Sequence, residues 1–237
     1  MTQDSPQSIL SHLVELRGRL IKVAVAVVIG SVIALIFDDS LISVLNAPYF
    51  EARPDGELQA LEPGEEFGVL MRVGLFGGVM LASPIILYHL WAFVAPALTK
   101  KEKKWVFPIV GAFFVLFAGG VLFGYALLPR ALDALLGIFP GVGNDLRIGP
   151  YYSFVLRLLL AFGLTFQLPI FLYALAASGV VNHEQLSHGR RWAVLLIVVG
   201  AAAVTPTGDP LTLAVLAVPL YVLYELTLLL VKLTLRR

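Results

Sequence analysis

Apolar runs separated by short polar links recur along the whole chain of 237 residues. A helix rises about 1.5 Å per residue, so roughly 20 apolar residues cover a hydrocarbon layer of about 30 Å. On that measure the pattern predicts six membrane-spanning helices, over about 21–37, 69–98, 105–128, 151–181, 192–206 and 211–231. They form a single transmembrane domain over residues 1–237, an all-α integral membrane protein. The second run is longer than a bilayer needs and should tilt or project. The fifth is short, which calls for a locally thin membrane or a water-accessible recess.

Ser5 and Pro6 make a good helix start. Beyond them Ile9, Leu13, Leu16 and Leu20 share one face, which predicts a short amphipathic surface helix feeding the first span. The link at 38–66 should hold a surface helix that stops at Ala47-Pro48-Tyr49, then turns at 53–56 and 62–64. Gly74, Gly77 and Gly78 allow close helix contact. The polar connection 129–150 should contain a short helix at 130–138. Tyr88, His89, Trp91 and Phe93 read as an interfacial belt, with His89 a hydrogen-bonding residue rather than a ligand.

Residues 158–181 carry no charge across 24 positions, yet Gln167 stands two residues before Pro169. The proline removes a backbone donor and predicts a break with an open carbonyl. An amide in lipid needs a partner or water. Gln167 therefore makes an interhelical hydrogen bond or lies on a polar, concave wall turned away from lipid.

Charge sets the orientation. With the N-terminus in the cytoplasm, the inner flanks hold Arg17, Arg19, Lys22, Lys100, Lys101, Lys103, Lys104, Arg190, Arg191, Lys232, Arg236 and Arg237, 12 of the 17 basic residues. The opposite loops carry 11 of the 16 acidic ones. This bias puts both termini inside. Gln167 then lies roughly 24 Å down a helix that starts outside, in the cytoplasmic half.

Composition narrows the chemistry. The chain is 59% hydrophobic and 14% charged, where soluble domains carry about 25% charged residues. A net charge of +1 gives no electrostatic case for nucleic acid. With no cysteine there is no thiolate nucleophile and no cysteine-bound metal. HEQLSH at 183–188 spaces its histidines one residue too far for a metalloprotease, and no nucleophile elbow, P-loop or dinucleotide fingerprint occurs. The residues thus point to a non-enzyme without cofactor or metal. Only Glu225 is a clear mid-membrane acid, which weighs against a proton-coupled pump. A small-solute secondary transporter is the alternative reading, and an intramembrane protease a weaker one. What stands out is two carboxylates at the cytoplasmic face, Glu15 on the surface helix and Glu102 among four lysines. For Glu102 charge relief among the lysines is the plain reading. Exposed carboxylates are also good receivers for guanidinium groups.

The chain resembles the TatC family of twin-arginine translocase subunits. The resemblance rests on SHLVELRGRL at 11–20, Ala47-Pro48, SPIILYHLWAFVAPALTKKEKK at 83–104, FGLTFQLP at 162–169, and Thr205, Pro206 and Asp209. It implies a curved, cupped six-helix arrangement in the bacterial cytoplasmic membrane and recognition of twin-arginine signal peptides on folded cargo. Transport would be driven by the proton-motive force. Glu15, Arg17, Phe93 and Glu102 match the family's signal-peptide positions. Pro48 and Asp209 match structural or coupling positions on the periplasmic side, and Gln167 with Pro169 a polar wall or partner contact. The implied partners are TatA-type and TatB-type single-span subunits near the fifth helix, further TatC copies and membrane lipid. Gln167 departs from the glutamate of many relatives and cannot ionise.

Overall fold

The computed structural model of the protein describes residues 6–94, 106–137, 145–177, 179–204 and 210–234. Helices in these residues are α1 (Pro6–Ile36), α2 (Asp38–Ala52), α3 (Glu65–Val94), α4 (Val106–Leu136), α5 (Ile148–Thr165), α6 (Leu168–Ala177), α7 (His183–His188), α8 (Arg190–Val204) and α9 (Pro210–Thr234). Two residues of β1, Leu58–Gln59, pair in parallel with β2, Leu146–Arg147. Among the described residues five stretches are long and apolar enough to cross a membrane: Leu13–Ile36, Glu65–Leu90, Val110–Leu136, Ile148–Ala176 and Leu216–Thr234. The protein is an all-α, multi-pass membrane protein. α8, the counterpart of the fifth expected span, has 15 residues, about 22 Å of helix, and falls short on length.

Several expected boundaries move. The amphipathic segment and the first span are one unbroken helix, α1, because nothing crowds Gly18 or interrupts the turn there. Pro48 does not end α2, which runs on to Ala52. No separate helix follows Pro129; α4 passes through it to Leu136. The fourth passage begins at Ile148, three residues before Tyr151. The link after residue 181 contains α7, closed at its start by a capping box. There the Asn182 side chain accepts the Gln185 N–H, and the Gln185 side chain accepts the Asn182 N–H.

The chain divides into two compact units, Met1–Ile42 with Phe67–Phe114, and Ser43–Glu66 with Val115–Arg237. In the first, α1 crosses α3 where both lack side chains. A Cβ on Gly30 would stand 2.8 Å from the Gly78 carbonyl oxygen, and one on Gly77 2.6 Å from the Ala34 Cβ. The glycines allow backbones to meet, which is how helices associate without a hydrophobic force between them. Only 11% of the apolar window of α1 is buried, so its outward face (Val25, Val28, Ile29, Val32) is left for lipid.

In the second unit α5 packs on α4 at a similar set of glycines. Gly163 takes the Phe117 ring, and Gly120 lies under the Phe162 carbonyl and the Phe166 side chain. Leu186, Ile197, Tyr224, Leu228 and Val231 form the apolar centre around α8 and α9. Beside it opens a groove of about 450 Å³ lined by residues such as Leu164, Leu168, Ile197, Leu216 and Leu220. Its polar atoms are already engaged: the Thr165 hydroxyl donates to the Ala161 carbonyl at 2.7 Å, and the Tyr224 hydroxyl to that of Leu186 at 2.6 Å.

Candidate functional site

Glu15 and Arg19 lie one turn apart on α1, a spacing that brings side chains together. Arg19 donates to one Glu15 carboxylate oxygen from Nε at 3.0 Å and Nη2 at 2.5 Å. The Glu15 side chain stays 44% exposed, so this is a surface pair. Exposed pairs of this kind are worth a few tenths of a kcal/mol and weaken with salt. Arg17 is exposed on the same helix. Phe93 falls in the last turn of α3, but its side chain lies outside the described residues, as do Glu102 and Asp209. One turn before Phe93, the His89 Nδ1 is buried with no hydrogen-bond partner among the described residues.

The break foreseen at Gln167 is present. α5 stops at Thr165 and α6 restarts at Leu168. Pro169 is the second residue of α6, in the first turn, where a missing N–H leaves no helix bond unmade. The Gln167 N–H turns to the Leu164 carbonyl at 3.0 Å rather than to Gly163, four residues back. The Gln167 side chain then donates from Nε2 to the Gly163 carbonyl at 3.3 Å. Gln167 is 3% exposed, so its amide serves the backbone of the helix it interrupts.

The densest polar structure surrounds α2. Pro48 is buried and has no N–H for the Val44 carbonyl, four residues back. The Tyr125 hydroxyl of α4 donates to that carbonyl at 2.8 Å. The Tyr151 hydroxyl of α5 donates to the next one, Leu45, at 2.6 Å, and the Tyr152 hydroxyl to the Asn46 Oδ1 at 2.7 Å. Tyr49 and Tyr151 meet edge-on at 5.6 Å. Tyr49 is fully buried and donates to the Glu57 carbonyl at 3.0 Å. Burial first, and then nearby Asp145, push its hydroxyl above the usual tyrosine range, so it remains a donor.

Two arginines bind this region together. Arg53 Nη1 donates to the last carbonyl of α2, Ala52, at 2.7 Å and to Asp133 on α4 at 2.6 Å. Arg147 bridges Glu62 at 2.5 Å and Glu65 at 2.8 Å. In the sequence Arg53 stands alone among the acids of residues 38–66, a weak signal, and nothing marks Arg147.

Glu225 is not a solitary acid in mid-membrane. Both its oxygens accept from Arg190, the first residue of α8, at 2.7 and 3.1 Å, and the Tyr221 hydroxyl donates to it at 2.8 Å. Arg190 also donates to the Ser187 hydroxyl at 2.8 Å. The group joins α7, α8 and α9 at one end. Among the described residues no three His, Asp or Glu side chains are grouped to hold a metal ion.

Residues 11–219 match the family model of the Sec-independent protein translocase protein, TatC. The chain is 40% identical over 230 residues to the Sec-independent protein translocase protein TatC of Aquifex aeolicus, covering 95% of each. It is 41% identical over 218 residues to that of Xylanimonas cellulosilytica, covering 90% of this chain and 79% of the relative. A crystal structure of the twin arginine translocase receptor TatC superposes with a TM-score of 0.85 at 40% identity, covering 94% of this chain and 98% of that one.

Proposed function

Because the chain belongs to the TatC family of Sec-independent protein translocase proteins, we propose that Glu15 and Glu102 receive the two arginines of a signal peptide, with Arg17 and Phe93 beside them. The chain is the signal-receiving core subunit of the twin-arginine translocase. It crosses the bacterial inner membrane six times with both termini in the cytoplasm; the basic bias of 12 in 17 toward the N-terminal side supports this. In that arrangement residues 1–237 act as one transmembrane domain, with Pro48 and Asp209 on the periplasmic side. TatA-type and TatB-type single-span subunits and further TatC copies are its partners. Contact with them falls around α8, and around Gln167 and Pro169 at the break between α5 and α6.

The observation that carries the site is the exposed Glu15 carboxylate, held by a guanidinium from its own helix. An incoming arginine makes the same charge-assisted bonds, bidentate where geometry allows, and exchanges with Arg19 at small net cost. Binding of a twin-arginine peptide and of its twin-lysine counterpart to the purified complex tests the assignment. Glu15→Ala and Glu102→Ala should each weaken the twin-arginine peptide roughly tenfold, the value of one charged hydrogen bond. Unchanged affinity in both folded variants, or equal capture of the two peptides, defeats it.

A further inference from the structure

We propose that Tyr125 and Tyr151 are positioning residues for α2: their hydroxyls replace the donor that Pro48 removes, and transport depends on them through Pro48. A proline inside a helix costs one hydrogen bond, and its ring crowds the carbonyl four residues back. Left alone this would end the helix, as the sequence suggests at Ala47-Pro48-Tyr49. Instead α2 runs four residues further, to Ala52. Three consecutive residues on the turn before Pro48 each meet a tyrosine: Val44 through its carbonyl, Leu45 through its carbonyl, and Asn46 through its side chain. The donors come from α4 and α5, at sequence separations of 81 and 106 residues. Local helix geometry therefore cannot explain the pattern.

The anchoring is rigid on the tyrosine side. Tyr151 and Tyr152 are each 3% exposed, and their rings stack edge-on at 5.3 Å. The carboxyl end of α2 is fixed too, since the Arg53 N–H donates to the Tyr49 carbonyl at 2.8 Å and its guanidinium holds Ala52 and Asp133. With the turn before Pro48 tied to α4 and α5 and its last residues tied to α4, the direction of α2 follows those helices. The link between the first two spans thus moves with the body of its unit instead of hinging at the proline.

The assignment makes Tyr125 and Pro48 thermodynamically dependent on each other. Pro48→Ala restores an N–H aimed at the Val44 carbonyl, after which the Tyr125 hydroxyl is redundant. The test uses the full complex in membranes with four chains: unchanged, Tyr125→Phe, Pro48→Ala and both together. Hydrogen exchange of the amides at 49–53 reads the helix, and the initial rate of cargo uptake into inverted vesicles reads transport. Tyr125→Phe alone should speed exchange and slow uptake by roughly fivefold, the worth of one such hydrogen bond. In the Pro48→Ala background the same change should alter either reading by less than about twofold. Tyr151→Phe should also speed exchange. Tyr152→Phe, whose hydroxyl meets a side chain, should combine additively with Pro48→Ala.

Equal effects of Tyr125→Phe in both backgrounds overturn the proposal, and so does a Tyr125→Phe chain with unchanged exchange. The uptake reading rests on the function proposed above, whereas the exchange reading does not. If the unchanged chain takes up no twin-arginine cargo, that function fails and the exchange cycle alone decides the tyrosines.

Discussion

Substitution of Gly78 by alanine is the sharpest probe of how the first unit holds its candidate peptide residues. The added Cβ would run into the Ser31 Oγ and lie 2.6 Å from the Ser31 amide nitrogen and 2.8 Å from its Cα. Ordinary contacts begin near 3.4 Å. The hydroxyl can rotate away, but the two backbone atoms cannot, so α1 must lift from α3 by most of an ångström. Overpacking of this kind costs about 1–3 kcal/mol. For a chain of this size that is a loss of roughly 2–4 °C in melting midpoint per kcal/mol. The same displacement moves Glu15 and Arg17, which ride on α1, relative to Phe93 at the end of α3. Twin-arginine peptide affinity should therefore fall by up to about tenfold, as one charged hydrogen bond is stretched.

Thermal melting of the detergent-purified protein and peptide binding by fluorescence anisotropy read the two effects. Gly18→Ala is the control, since nothing lies within 4 Å of a Cβ there, and it should gain up to about 1 kcal/mol of helix propensity. Ser31→Ala added to Gly78→Ala removes the hydroxyl contact but not the backbone one, so it should recover only part of the loss. A Gly78→Ala protein that melts and binds like the parent would refute the reasoning, because the helices would then have slack at this crossing.

Two further outcomes follow from local geometry. Arg19→Gln removes one internal partner of Glu15 and should tighten twin-arginine peptide binding about twofold at low salt, with the gain gone at about 1 M salt; titrations across ionic strength check it. Asn182→Ala deletes one half of the capping box and should cost about 1 kcal/mol, read as faster amide exchange confined to α7 and the start of α8.

How far the chain was legible depends on where each residue finds its partner. Five of the six expected spans could be read as long apolar helices because they depend on local composition. The break at Gln167 and Pro169 could be read because both its cause and its repair, the Gly163 carbonyl, lie within six residues. Pro48 was misread as a stop for the opposite reason: the donor that lets the helix continue is 81 residues away, on a helix whose register the sequence does not give. Glu225 looked like a lone buried acid because Arg190 is 35 residues earlier and ends a different polar link.

The same contrast separates polar groups that maintain the fold from those available to a ligand. Gln167, Thr165 and Thr227 each donate to a carbonyl four residues back on their own chain, and Tyr125 and Tyr151 to carbonyls of α2. A signal peptide that took these donors would leave backbone acceptors open, at a cost comparable to the bond it gained. Glu15 differs in kind. Its Arg19 is a charged, partly exposed side chain that water can reach once displaced, so exchanging it for a guest arginine leaves no fully buried group unpaired. By this criterion the exposed Glu15 carboxylate suits the proposed receptor role, while the amide at Gln167 keeps an interrupted helix closed.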